Sequence, residues 1–153
     1  MQICIANLTS DLDGVKNIFN DFDHSPDFPA RYQFLGEEND VLPKIYSLPK
    51  GAILLAKDQH TIAGFAALKS LGVKICELSR LYIKPEYRGK KLGRLLLVEL
   101  LSFARLAGYK IVKTQAQPSM KAALNLYKSI GFEIISPKVV NSFRELVYLE
   151  KKL

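Results

Sequence analysis

Apolar positions along this chain switch between two periods. Residues 2–6 form a short apolar run that reads as a first strand. Leu12, Val15, Ile18, Phe19 and Phe22 follow at helical spacing, with Ser10 placed as an N-cap and Asp13 three residues on as a partial capping box. Residues 52–57 and 61–68 are strand-like segments on either side of Asp58-Gln59-His60, the pattern of a hairpin. Gly72 marks the next turn, and residues 74–83 make the third strand of an antiparallel series. Pro85 ends that strand, because proline has no N–H to give a ladder. Leu92, Leu95, Leu96, Leu100, Phe103 and Ala104 then form one wide apolar helical face, closed by Gly108. Residues 111–114 are a short strand. Ser119 is placed to cap a second long helix that turns Ala122, Ala123, Leu126, Tyr127 and Ile130 inward and stops at Gly131. Residues 132–135 and 145–149 close the sheet as strands. The succession predicts a mixed sheet with helices on both faces.

Residues 24–49 break this regularity. They hold Pro26, Pro29, Pro43 and Pro49 together with Phe28, Tyr32, Phe34 and Tyr46. A short helix between Arg31 and Leu42 is compatible with them. The stretch is either a loop packed down by its own aromatics or a substrate-covering loop. There is no repeat, low-complexity tract or linker, so residues 1–153 read as a single domain.

Composition narrows the class. With 48% hydrophobic and 24% charged residues, the chain has the make-up of an ordinary soluble globular protein able to bury a core. Residues 1–7 carry no charged-then-apolar leader pattern, and no apolar run approaches the ~18 residues that span a bilayer. The expectation is a cytoplasmic protein that does not use the membrane. Cys4 and Cys76, the only cysteines, lie in separate strand-like runs and offer neither a disulfide framework nor metal-ligand spacing. His24 and His60 are lone residues at loop positions and read as neither catalytic nor metal-binding. The net charge of +7 fits an anionic cofactor as well as a polyanion. Because the cations are spread along the chain, nucleic acid is not the expected partner.

The one dense basic cluster is Arg88, Lys90, Lys91 and Arg94, around Gly89 and Gly93 and at the start of the leucine-rich helix. Glycines let the backbone turn tightly, and the first N–H groups of a helix suit a phosphate. Glu77 to Gly93 therefore reads as strand, phosphate-binding loop and helix start.

Two motifs in this frame carry a resemblance. Tyr87-Arg88-Gly89-Lys90-Lys91-Leu92-Gly93, after Leu81-Tyr82-Ile83-Lys84-Pro85, resembles the acetyl-CoA-binding motif Arg/Gln-x-x-Gly-x-Gly/Ala of the GNAT N-acetyltransferase superfamily. Ala123-Leu124-Asn125-Leu126-Tyr127-Lys128-Ser129-Ile130-Gly131-Phe132, about 35 residues later, is similar to the Ala-x-x-Leu-Tyr-x-x-x-Gly-Phe helix of the same family. Lys91 stands where the family has its first motif glycine, and Met120 where many relatives carry an asparagine.

The resemblance implies an α/β fold of α+β type, with a mostly antiparallel sheet of about six to seven strands. It implies acetyl-CoA as cofactor, its pantetheine along Leu81, Tyr82 and Ile83 and its pyrophosphate on Arg88, Gly89, Lys90, Lys91, Leu92, Gly93 and Arg94. An N–H near Leu81 or Tyr82 would polarise the thioester carbonyl. Tyr127 matches the family's general acid. Glu77, an acid in an apolar strand, is the candidate base, directly or through a water, with an exposed residue or a salt bridge to Arg80 as the alternative. Arg80 would clamp a substrate carboxylate or, in a structural role, pin Glu77 or a loop acid. Period-two alternation puts Glu77 and Ser79 on one face and Arg80 on the other, unless a bulge of the kind relatives have breaks it.

The implied reaction is acetyl transfer to a primary amine of a small molecule, by direct attack in a ternary complex without an acyl-enzyme on Cys76. The alternatives are a protein acetyltransferase acting on lysine or an N-terminus, and a non-catalytic acyl-CoA sensor. Acceptor specificity would lie in residues 24–49 and in the connection 137–144. A homodimer is possible, as in many relatives.

Overall fold

The computed structural model of the protein describes residues 1–25, 42–141 and 144–153. The helix considered between Arg31 and Leu42 falls outside these residues, apart from Leu42 itself, which opens a single helical turn.

Among the described residues, seven strands form one sheet in the order β1-β2-β3-β4-β5-β7-β6. They are β1 (Gln2–Ile5), β2 (Ala52–Asp58), β3 (Thr61–Ser70), β4 (Ile75–Ile83), β5 (Ile111–Ala116), β6 (Glu133–Asn141) and β7 (Arg144–Lys152). Every adjacent pair is antiparallel except β4 and β5. That parallel step requires a crossover, supplied by α3 (Leu92–Leu106). Helices α3 and α4 (Lys121–Ile130) cover one face, and α1 (Leu12–Asp23) with the turn α2 (Leu42–Ile45) covers the other.

Each face has its own apolar core. Leu92, Leu96, Leu97, Leu100, Leu101 and Ala104 of α3 pack on the first. A fully buried leucine of this kind contributes roughly 1.5–3 kcal/mol relative to an exposed one. Leu95, expected inward, is 52% exposed. On the second face Phe19 stacks on Phe65 at 4.6 Å, and the Phe22 ring meets Tyr82 at 5.8 Å.

Strand β4 changes faces midway. Ala67 pairs with Arg80 and Leu68 with Leu78, so Ser79 is an extra residue with no opposite number. The bulge inverts the alternation. Cys76 and Leu78 point to the α3 side, and so do Leu81 and Ile83, whereas Arg80 and Tyr82 point to the α1 side. Ser79 donates to the Ala67 carbonyl at 3.3 Å, and the Tyr46 hydroxyl lies 2.9 Å from Ser79 Oγ.

Three boundaries differ from the sequence expectation. Asp11, not Ser10, is the N-cap of α1, without a side-chain cap. The Asn7 carboxamide takes the N–H groups of Thr9 and Ser10, and Asp11 accepts from Asn7 N–H and Lys57. These local bonds compete with a capping box. Met120, not Ser119, precedes α4. The connection expected at 137–144 is largely strand, because β6 runs on to Asn141 and β7 starts at Arg144. Pro137 is tolerated there because β6 is the sheet edge.

Candidate active site

Strands β4 and β5 pair over only three rungs, Ile75 to Glu77 against Ile111 to Lys113, and then part. The bulge at Ser79 bends β4 just beyond the last rung. At the apex of the gap the Thr114 hydroxyl donates to the Leu78 carbonyl at 3.0 Å. Farther out, Lys84 N–H donates to the Ala63 carbonyl at 2.9 Å, on the β3 side. Backbone groups alternate along a strand, so Tyr82 N–H also faces β3, while Leu81 and Ile83 turn theirs to the gap. Of the two N–H groups expected to polarise a carbonyl, that of Leu81 faces the gap and that of Tyr82 does not. The Tyr82 ring lies on the α1 side and lines the groove from there.

A groove of about 590 Å³ occupies the gap. Leu81 and Ile83 wall it on one side, Met120, Ala123 and Leu126 on the other, with Phe22 at the α1 side. This explains why the inner face of α4 is not all core. Tyr127 is buried, but Ala122 is exposed and Leu126 half-buried, since that face looks into the groove. A second cavity, of about 500 Å³, adjoins at Ile83, Arg88, Gly93 and Leu126 and reaches the basic loop.

In that loop Lys91 is the N-cap of α3 and has left-handed backbone, φ 61° and ψ 22°, with no side-chain cap. The first N–H groups of the helix, on Leu92, Gly93 and Arg94, have no acceptor within it. A Cβ on Gly93 would sit 3.6 Å from Leu126 and 3.8 Å from Ile83, so packing within the protein permits one. Gly93 borders both cavities, and its missing side chain leaves room for a ligand. The cations divide. Arg88 Nε donates to the Ile83 carbonyl at 2.9 Å with its guanidinium over Tyr82, Lys90 lies over Tyr87, and Arg94 donates to Ser129 at 3.0 Å.

The remaining site residues are placed as follows. Tyr127 is 4% exposed and its ring packs beside Phe132 at 5.6 Å. Its hydroxyl bonds the Thr114 side chain, and burial pushes its pKa up to about 12, against a smaller lowering by Thr114. The hydroxyl is thus protonated at neutral pH and stands at the apex of the gap, behind the groove wall.

Glu77 belongs to the last paired rung, between Lys69 of β3 and Lys113 of β5. It lines a separate cavity of about 350 Å³ with Lys113, Gln115 and Tyr148, and Thr114 borders that cavity too. Arg80 is not brought to the groove. It is 2% exposed, stacks on Phe19 at 4.3 Å and pairs with Asp23 of α1 at 3.8 Å. The acid it is seen to pair with is one of α1. Cys76 is fully buried, and burial raises its thiol pKa to about 12.

Sequence reasoning missed Phe22 and Ser25 as groove residues and Thr114 as the clasp at the apex. The first two depend on how α1 ends over β4, and Thr114 on the β4–β5 register. None has a local signature.

The sequence model of the acetyltransferase (GNAT) family matches residues 15–132. An uncharacterized N-acetyltransferase of Schizosaccharomyces pombe is 30% identical over 155 residues, covering 100% of this chain and 95% of its own. Among solved structures, the acetyltransferase of GNAT family from Streptococcus pneumoniae superposes with a TM-score of 0.80 at 23% identity, covering 99% of both chains. The yncA protein of Salmonella typhimurium, described as an acetyltransferase and solved with its cofactor acetyl-CoA, gives 0.73 at 21% identity over 99% of this chain and 93% of its own. With the divergent β4–β5 pair, the loop leading into α3 and a family match over most of its length, the chain belongs to the GNAT family of acetyltransferases.

Proposed function

We propose that the protein transfers an acetyl group from acetyl-CoA to a primary amine of a small molecule by direct attack in a ternary complex. The observation that carries this reading is the pair of adjoining cavities, sharing Ile83, Arg88, Gly93 and Leu126, that lead from the β4–β5 gap to the first turn of α3. Their residues fit the cofactor. The inward backbone of Leu81 and Ile83 offers an amide chain the edge of a strand, and the uncapped N–H groups of residues 92–94 offer a pyrophosphate its donors. Arg88, Lys90 and Lys91 add positive charge beside them. Acetyl-CoA supplies the activated thioester.

The protein's own groups would do the rest. Leu81 N–H, which faces the gap, would polarise the thioester carbonyl there. Tyr127 keeps its proton at neutral pH and would give it to a departing thiolate through the apex. Glu77, across Thr114, would take a proton from the incoming ammonium, directly or through a water. Cys76 carries no acyl group in this scheme, because a buried thiol with a pKa near 12 is a poor nucleophile at neutral pH.

A thiol-release assay with acetyl-CoA and a panel of amines, amino acids and polyamines tests the reading. Coenzyme A should appear only when an accepted amine is present. Tyr127→Phe should lower kcat by about 10²-fold while acetyl-CoA affinity by calorimetry is retained. Acetyl-CoA binding without thiol release from any acceptor would instead support a sensor.

A further inference from the structure

The turn that ends α1 buries a hydroxyl beside the groove, and among the described residues nothing bonds it. Ser25 N–H donates to the Phe22 carbonyl at 3.1 Å, and His24 N–H before it to Asn20 at 3.1 Å, so the backbone here is fixed. The side chain is 8% exposed and borders the groove among Phe22, Leu81 and Tyr82. Its Oγ has no hydrogen-bond partner among the described residues. Burying a hydroxyl without a partner is unfavourable, and alanine would pack against Phe22 and Leu81 without that cost.

We propose that Ser25 is a positioning residue whose hydroxyl hydrogen-bonds an amide of the cofactor's pantetheine arm. This rests on the reading that the groove holds acetyl-CoA. An amide laid along β4 has two polar edges. One meets the backbone of Leu81 or Ile83, and the other points away from the strand. Ser119 and Lys121 also line the groove, but Met120, Ala123 and Leu126 make much of its far wall, and where the second edge meets these three it finds no conventional side-chain donor. A serine hydroxyl both donates and accepts, so it can complete either a carbonyl or an N–H. The orphaned group of the protein and the unmatched edge of the arm thus satisfy each other.

Calorimetry on wild type and Ser25→Ala, with acetyl-CoA and with ADP as probes, tests this. ADP carries a pyrophosphate but no pantetheine. The substitution should weaken acetyl-CoA binding about tenfold, the effect of one lost hydrogen bond, and leave ADP binding unchanged. The Tm of the ligand-free variant should equal or exceed that of wild type, since an unmatched buried hydroxyl has been removed. Unchanged acetyl-CoA affinity, an equal loss for both probes, or a lower ligand-free Tm would each overturn the proposal. Failure of the wild type to bind acetyl-CoA would sink the reading of the groove itself.

Discussion

Lys91 departs from the family pattern at a position where backbone geometry, not charge, sets the preference. Its φ of 61° lies in the left-handed region, which disfavours side chains by roughly 1–2 kcal/mol. Glycine removes that strain but has a more flexible unfolded state, which returns about 0.4–1 kcal/mol. Lys91→Gly should therefore raise stability by up to about 1 kcal/mol, read as a higher urea midpoint at unchanged m-value. Lys91→Ala keeps the strain and should show no such gain. Equal midpoints for the two variants would show that the loop is not strained at Lys91. The motif was legible from the sequence, but the reason for its odd residue was not, because a dihedral angle leaves no mark in composition. Arg80 is a similar case. Its charge fitted either a substrate clamp or a structural ion pair, and its contacts with Asp23 and the faces of Phe19 and Phe22 depend on how α1 lies over the sheet.

Among the elements, β4 decides where everything else points. Its strand character was plain from Ile75 to Ile83, and so was its stop at Pro85. The extra residue at Ser79 was not readable from this stretch by itself, since nothing in Leu78-Ser79-Arg80 signals a bulge. Without it, Arg80 and Tyr82 would share a face with Cys76 and Leu78, and Leu81 and Ile83 would leave the groove. Deleting Ser79 should consequently abolish cooperative unfolding and acetyl-CoA binding together. Ser79→Ala, which keeps the backbone count and loses one hydroxyl, should lower stability by about 1 kcal/mol. A well-folded, ligand-binding deletion variant, measured by circular dichroism and calorimetry, would contradict this account of the strand. The helix caps at Ser10 and Ser119 failed for a related reason. Asn7, Asp11 and Gln117 offer competing local bonds, and a residue pattern does not rank them.

Across the whole molecule, the hydrophobic periodicity was enough to find six of the seven strands near their places and the helices on both faces. The seventh, β6, was started correctly and cut short, because edge strands tolerate Pro137 and residues that interior strands do not. None of the helices in the described residues is long and apolar enough to cross a membrane.

Burial in the α3-side core also fixes a response to alkali. Cys76 and Tyr127 ordinarily titrate at 9.0 and 10.0, and the fold holds both protons to about 12. Between those values the unfolded chain binds fewer protons than the native one, so stability is fully present below about pH 9 and falls as pH rises toward 12. Thermal unfolding from pH 8 to 11 should show that decline, and Cys76→Ala should make it shallower. A Tm independent of pH over the same range would contradict the burial of these two groups.

The central claim is that the gap between β4 and β5 and the first turn of α3 form one acetyl-CoA site. Gly93 stands at the junction of its two halves, and a Cβ there meets only ordinary contacts from Leu126 and Ile83. The most direct measurement is acetyl-CoA affinity of Gly93→Val by calorimetry, with Tm recorded alongside. The account predicts a loss of about a hundredfold, some 2–3 kcal/mol of clash, in a protein that unfolds close to the wild-type temperature. Wild-type affinity in that variant would mean that the cofactor does not lie in this groove.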